Sequence, residues 1–176
     1  MKTAKKIGIS LFAVVSSIVL LGFISSPISI TSSTVINASQ GEVYQVLSSF
    51  DRFPEWSPFL VTDPNQKNWT TGEDGETGSR FYWVGVDEEG EGFQELTEVS
   101  GNSSLVMNCT ITKPFKSNPT FAYSITAKDT GIEVVQTFEM PSSVLEKMML
   151  GAFGVTSEIE QTNQLGMDRL KTLLES

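Results

Sequence analysis

Histidine is absent from this 176-residue chain, and cysteine occurs once, at Cys109. The first absence excludes Ser-His-Asp and Cys-His nucleophile chemistry, histidine-ligated zinc or haem, and a histidine pH switch. The second excludes an internal disulfide, a thiolate metal site and thioredoxin-type exchange, each of which needs another thiol. Basic residues are scarce too: 12 Lys and Arg face 21 Asp and Glu, a formal charge of −9. Three of those twelve, Lys2, Lys5 and Lys6, sit at the N-terminus, so the rest of the chain carries −12. Phosphate backbones repel such a surface, because nucleic-acid affinity is built from Lys and Arg, and nucleic acid is excluded as a partner. The same sign opposes docking of the domain surface on anionic lipid. The chain does have a 39% hydrophobic, 19% charged composition, enough to bury one core. The length suits one domain and a little more.

The extra segment is at the start. Ile7 to Ile24 contains no charge and only three serines among eighteen residues. As a helix it would span about 27 Å, close to the ~30 Å hydrocarbon core of a bilayer. The lysines precede it, so the positive-inside rule leaves the N-terminus in the cytoplasm and exports the chain beyond Ile24. Residues 1–24 are therefore expected to be an uncleaved signal anchor or a cleaved signal peptide. The length favours the anchor, while Ser25 to Ser29 offers small residues for a peptidase. Residues 25–33, rich in Ser, Thr and Pro, read as a linker to a domain over 34–176.

Ser33 to Ala38 alternates β-formers and predicts a first strand. Ser39 and Glu42 have the spacing of a capping box, and Val43, Val46, Leu47 and Phe50 then form one apolar helical face. The two prolines in Asp51 to Phe59 predict a second short turn or helix. Five runs come next, Ser79–Val86, Phe93–Val99, Leu105–Lys113, Thr120–Ala127 and Ile132–Met140, with a sixth strand possible after Trp69; they predict an antiparallel meander. Ser143 and Glu146 repeat the capping box, and helical spacing continues from Val144 to Leu173 across Gly151 and Gly154. The fold class is thus α+β. A curved sheet must bury one face, and the C-terminal helix is the only element large enough to cover it.

Strand alternation assigns the inner face. Leu105, Met107, Cys109 and Ile111 share one side of their strand; Phe121, Tyr123 and Ile125 share another; Ile132, Val134, Phe138 and Met140 place Gln136 inward with them. Packed core is the plain reading of such positions. Trp56, Trp83, Tyr123 and Gln136, however, would bury polar tips that need partners, and a cavity with a few convergent polar groups supplies them. Met107, Met148 and Met149 would add an adaptable lining. Glu91 and Glu95 have the spacing of a carboxylate pair, but solvated side chains are the simpler reading. So are the acidic tips Glu73–Glu76 and Asp87–Glu91, which lack the ligand register of a calcium loop. Cys109, with no Arg or Lys beside it in sequence, reads as an inert buried thiol.

The chain resembles the START/Bet v 1-like superfamily, and within it the polyketide cyclase/dehydrase and lipid-transport proteins. The resemblance rests on Thr34 to Phe50, Trp56-Ser57-Pro58-Phe59, Gly78 with Phe81-Tyr82-Trp83, Gly90-Glu91-Gly92, Lys113-Pro114-Phe115 and Gly166 to Lys171. It implies a helix-grip fold: a curved antiparallel sheet wrapped around a long C-terminal helix, two short helices after strand 1, and an internal apolar cavity. It also supports Phe81 and Trp83 as inward. The candidate lining is then Trp56, Phe59, Phe81, Trp83, Leu105, Met107, Cys109, Tyr123, Val134, Gln136, Phe138, Met148 and Met149. No catalytic set, metal or cofactor is implied. The expected function is to bind or carry a hydrophobic, lipid- or polyketide-like molecule outside the cytoplasmic membrane. The alternatives are an aromatase/cyclase with Tyr123 as proton donor, and an envelope interaction module using acidic hairpin residues such as Glu88 and Glu89.

Overall fold

The computed structural model describes residues 27–86 and 90–176. The expected anchor, and the hairpin residues Asp87, Glu88 and Glu89, lie outside them. Elements run in the order β1 (Ile28–Ile36), α1 (Gln40–Ser48), α2 (Phe53–Trp56), α3 (Phe59–Thr62), β2 (Lys67–Thr71), β3 (Arg80–Val84), β4 (Glu91–Ser100), β5 (Ser104–Lys113), β6 (Thr120–Lys128), β7 (Gly131–Met140), α4 (Val144–Ala152) and α5 (Val155–Leu174). The strands form one antiparallel sheet in the order β1-β7-β6-β5-β4-β3-β2. An irregularity between Leu96 and Glu98 bends β4 against β5, as bulges do. The sheet curves around α5, and this α+β arrangement is the expected helix grip.

Local sequence explains most element boundaries. Both capping boxes form: Ser39 Oγ accepts from the Glu42 N–H while Glu42 accepts from the Ser39 N–H, and Ser143 and Glu146 repeat the pattern. In three places the structure departs from the sequence reading. The linker expected over 25–33 is mostly strand, since β1 starts at Ile28 and buries Ile28, Ile30, Ser32 and Ile36 on one face. Its serines hid that period. The helical stretch expected after α1 is two short helices, divided at Ser57-Pro58. The C-terminal helix is two helices, because Gly154 adopts φ 78°, a left-handed conformation that ends the turn running from Ser143. Side chains from α5 then tie its flanks. Lys171 Nζ donates to the Val35 carbonyl at 2.8 Å, and Arg169 donates to the carbonyls of Trp56 and Glu55 at 3.2 and 3.0 Å. These bonds hold β1 on one side of α5 and α2 on the other.

The core occupies one end of the space between sheet and helix. Ile36, Leu47, Leu96, Leu105, Ile125, Val134, Met167 and Leu170 are all buried there. The other end is different.

Candidate functional site

Beyond the packed end lies a cavity of about 750 Å³, within the ~300–1,000 Å³ usual for small-molecule pockets. Its sheet wall comes from Phe81 and Trp83 on β3, Cys109 and Ile111 on β5, Phe121 on β6, and Phe138 and Met140 on β7. Its helical wall comes from Phe53, Phe59, Leu150, Val155 and Ile159. Exposed Phe59, Val86 and Phe115 line it too and mark the mouth. Strand β4 contributes little bulk where it faces inward. Gly92 pairs with Trp83 across the sheet, and a Cβ there would stand 2.6 Å from the Trp83 ring and 2.3 Å from the Thr110 carbonyl oxygen. Only glycine lets that indole lie against the strand.

A small recess of about 10 Å³ adjoins the large cavity, bounded by Trp56, Pro58, Tyr123, Gln136 and Gly166. Gln94 and Asn163 line both spaces and so stand at the junction. Gln136 Nε2 donates to the Tyr123 hydroxyl at 2.8 Å. Burial pushes the Tyr123 phenol up, against a smaller opposing effect of that bond, so the group keeps its proton through the physiological range. Trp56 stands edge-on to Phe53 and to Tyr123, with ring centroids 5.0 and 6.5 Å away.

The thirteen candidate lining residues divide by position. Phe59, Phe81, Trp83, Cys109 and Phe138 line the large cavity; Trp56, Tyr123 and Gln136, with Phe59 again, line the recess. Leu105, Met107 and Val134 face the expected way but line neither space, because they lie toward the packed end of their strands and are closed over completely. Met148 and Met149 do not line it either: they are 67% and 52% exposed. Leu150 is the α4 residue that turns inward. At about 100° per residue, Met149 and Met148 are carried round to the outer side.

Sequence reasoning missed Gln94 and Asn163. Asn163 had a signal, since Ile159, Asn163, Gly166, Met167 and Leu170 recur at helical spacing. Gln94 had a conflicting one, because the opposite parity of β4 contains Phe93. In the structure Phe93 is on the outer face, in contact with Tyr82 and under the Arg80 guanidinium. That same face holds the two carboxylates considered as a pair. Glu95 is bridged to Arg80 at 2.7 Å and Glu91 to Lys113 at 3.1 Å, so each is engaged with its own cation. Among the described residues no group of three metal-ligating side chains comes together.

A family model described as Polyketide cyclase / dehydrase and lipid transport matches residues 27–175. The chain belongs to that family. For a member of the polyketide cyclase/dehydrase and lipid-transport family, the coarse expectation is a hydrophobic small-molecule ligand or cyclase-type chemistry. No match among curated proteins was found. Solved structures share the fold. Protein SA2116 from Staphylococcus aureus is 10% identical with TM-score 0.64, over 86% of this chain and 95% of that one. Protein Ms6760 from Mycobacterium smegmatis is 18% identical with TM-score 0.58, over 83% and 90%. DynU16, from the dynemicin biosynthetic locus, is 11% identical with TM-score 0.59, over 84% of this chain and 47% of that one.

The Cys109 thiol lines the cavity, and desolvation pushes it up to about 12. Thiolate is the reactive form, so at pH 8 only roughly one thiol in ten thousand is ionised, against about a quarter of free cysteine. Modification by 5,5′-dithiobis(2-nitrobenzoate) is therefore expected to be at least about a thousandfold slower than for free cysteine. It should accelerate as pH rises towards 12 while the protein stays folded. Rapid labelling at pH 8 in a folded sample would contradict this burial.

Proposed function

We propose that the domain carries an apolar small molecule in the 750 Å³ cavity, on the outer side of the membrane to which its N-terminal segment ties it. The observation that carries this reading is a large hollow with an exposed apolar mouth, where an α+β domain of this size could have been solid. Its wall is mainly aromatic and aliphatic, with Asp63, Lys113 and Glu158 also on the lining. Further support comes from α4 and its C-cap, which expose Leu145, Met148, Met149 and Phe153. Lys147 on that helix donates to the carbonyl of Pro27, three residues after the apolar stretch ends. Pro27, the first described residue, thus lies beside this exposed apolar helix. Among the described residues no helix is long and apolar enough to cross a membrane; the tether proposed here is the apolar stretch Ile7–Ile24, and its support is the sequence.

The full chain, purified in amphipol and examined by native mass spectrometry, is expected to retain an extractable lipid-like adduct, or to take up Nile red one to one. Failure of both would refute the carrier reading. Protease treatment of intact spheroplasts should digest the domain; protection would refute the outward orientation.

One observation favours a cyclase as the second reading. Tyr123 and Gln136 converge with Trp56, Gln94 and Asn163 at the inner end, where a substrate carbonyl could be held. DynU16 comes from a biosynthetic locus, which accords with it. Such chemistry would use the Tyr123 hydroxyl as a hydrogen-bond donor, since it retains its proton. Turnover of a polyketide-like substrate surviving Tyr123→Phe unchanged would dismiss that role.

A further inference from the structure

Four residues that line the inner recess carry polar atoms that the protein leaves without partners. Trp56 Nε1 and Asn163 Nδ2 are donors, Gln94 Oε1 and Gln136 Oε1 are acceptors, and all four have no hydrogen bond. Their residues are between 1% and 4% exposed. Buried polar atoms are nearly always paired, so four orphans around one small space point to a group that enters it. The indole is the firmest of the four. Its nitrogen can only donate, and edge-on contacts with Phe53 and Tyr123 fix where its ring lies.

We propose that this recess binds one uncharged oxygen of the ligand, a hydroxyl, on a molecule whose remaining bulk is apolar and fills the large cavity. The proposal rests on the carrier reading and specifies its ligand class. Size is the first argument: about 10 Å³ holds one water-sized group, which admits a hydroxyl and excludes a phosphate or a sugar. Charge is the second. No Asp, Glu, Lys or Arg lines the recess, so a carboxylate or ammonium there would be buried without a counter-ion. A carboxylate would also present acceptors to the two glutamine oxygens. Donor and acceptor count is the third. A hydroxyl accepts twice and donates once, which pairs the Trp56 and Asn163 N–H groups and one of the two glutamine oxygens, three of the four orphans. Gln94 and Asn163 border both spaces, so the recess adjoins the large cavity and an oxygen bound there would lie next to the apolar remainder.

Isothermal titration of the full chain in amphipol with 1-decanol, decane, decanoate and decyltrimethylammonium tests this directly. Decanol is expected to bind about tenfold or more tightly than each of the other three, the order that hydrogen bonds to buried partners supply. Gln94→Leu with Asn163→Leu should reduce that preference to within about threefold, because decanol loses hydrogen-bond partners that decane never had. Trp56→Phe, which removes the N–H and keeps an aromatic ring, should lower decanol affinity selectively, and it serves if the double variant fails to fold. Decanol and decane binding alike would overturn the hydroxyl site, leaving the recess to an ordered water only, while the carrier reading stands. Tightest binding of decanoate would overturn it as well. If none of the four binds, the carrier reading falls and the hydroxyl site falls with it.

Discussion

The double variant Cys109→Phe, Ile111→Trp is expected to lose ligand uptake while staying folded. The two residues are neighbours on one face of β5, and both line the large cavity rather than the packed end. Enlarging a side chain in a dense core costs about 1–3 kcal/mol, because neighbours must leave their rotamers. Here the added rings enter open volume, so that strain is avoided and some apolar surface is newly covered. Thermal unfolding should occur at the parent temperature or slightly above it. Affinity for Nile red or decanol should fall by about 100-fold, equivalent to ~2.7 kcal/mol. Undiminished affinity in a folded variant would mean that the ligand sits elsewhere.

Trp56→Ala should produce the largest loss of stability of any single change discussed. The side chain is 1% exposed, packs edge-on against two rings, and belongs to the short helix that Arg169 holds onto α5. Truncating a buried tryptophan costs about 3–5 kcal/mol, part of it for the hole left behind. For a domain of this length that lowers the unfolding temperature by on the order of 10 °C. Trp56→Phe is expected to cost less than about 1.5 kcal/mol, since most of the ring survives and the lost N–H has no protein acceptor to abandon. Chemical denaturation of both variants would check the contrast. Equal losses would mean that the indole nitrogen is engaged within the protein.

Face and depth were unequally legible in the sequence. Period-two alternation placed Leu105, Met107, Cys109 and Ile111 on one side of β5, and the structure turns all four to that side. Nothing in that pattern distinguishes the first two, sealed in the core, from the last two, which border open space. The distinction depends on how far along the strand the helices reach, which is set by contacts between residues remote in sequence. Helix α4 posed a related difficulty. A segment reading Val-Leu-Glu-Lys-Met-Met-Leu is apolar on more than one side, so periodicity fixes the helix without fixing its rotation, and Leu150 rather than Met148 or Met149 turns inward. The capping boxes were legible because they involve only residues three apart. The polar recess was half legible: Trp56, Tyr123 and Gln136 carried visible polar tips, while Asn163 and Gln94 needed the helix and strand brought face to face.

The contact between Gly92 and the Trp83 indole bears on how pockets of this build diversify. The space that a Cβ at position 92 would need is already filled by that ring and by the Thr110 carbonyl. A side chain at 92 would have to displace both, and the nearer one is backbone, so the pairing of β4 with β5 would shift along with the indole. Residue 92 is absent from the cavity wall, yet it acts as the stop against which a movable partition rests. The position of that partition is thus fixed from behind, by a missing side chain at a residue that never meets the cargo.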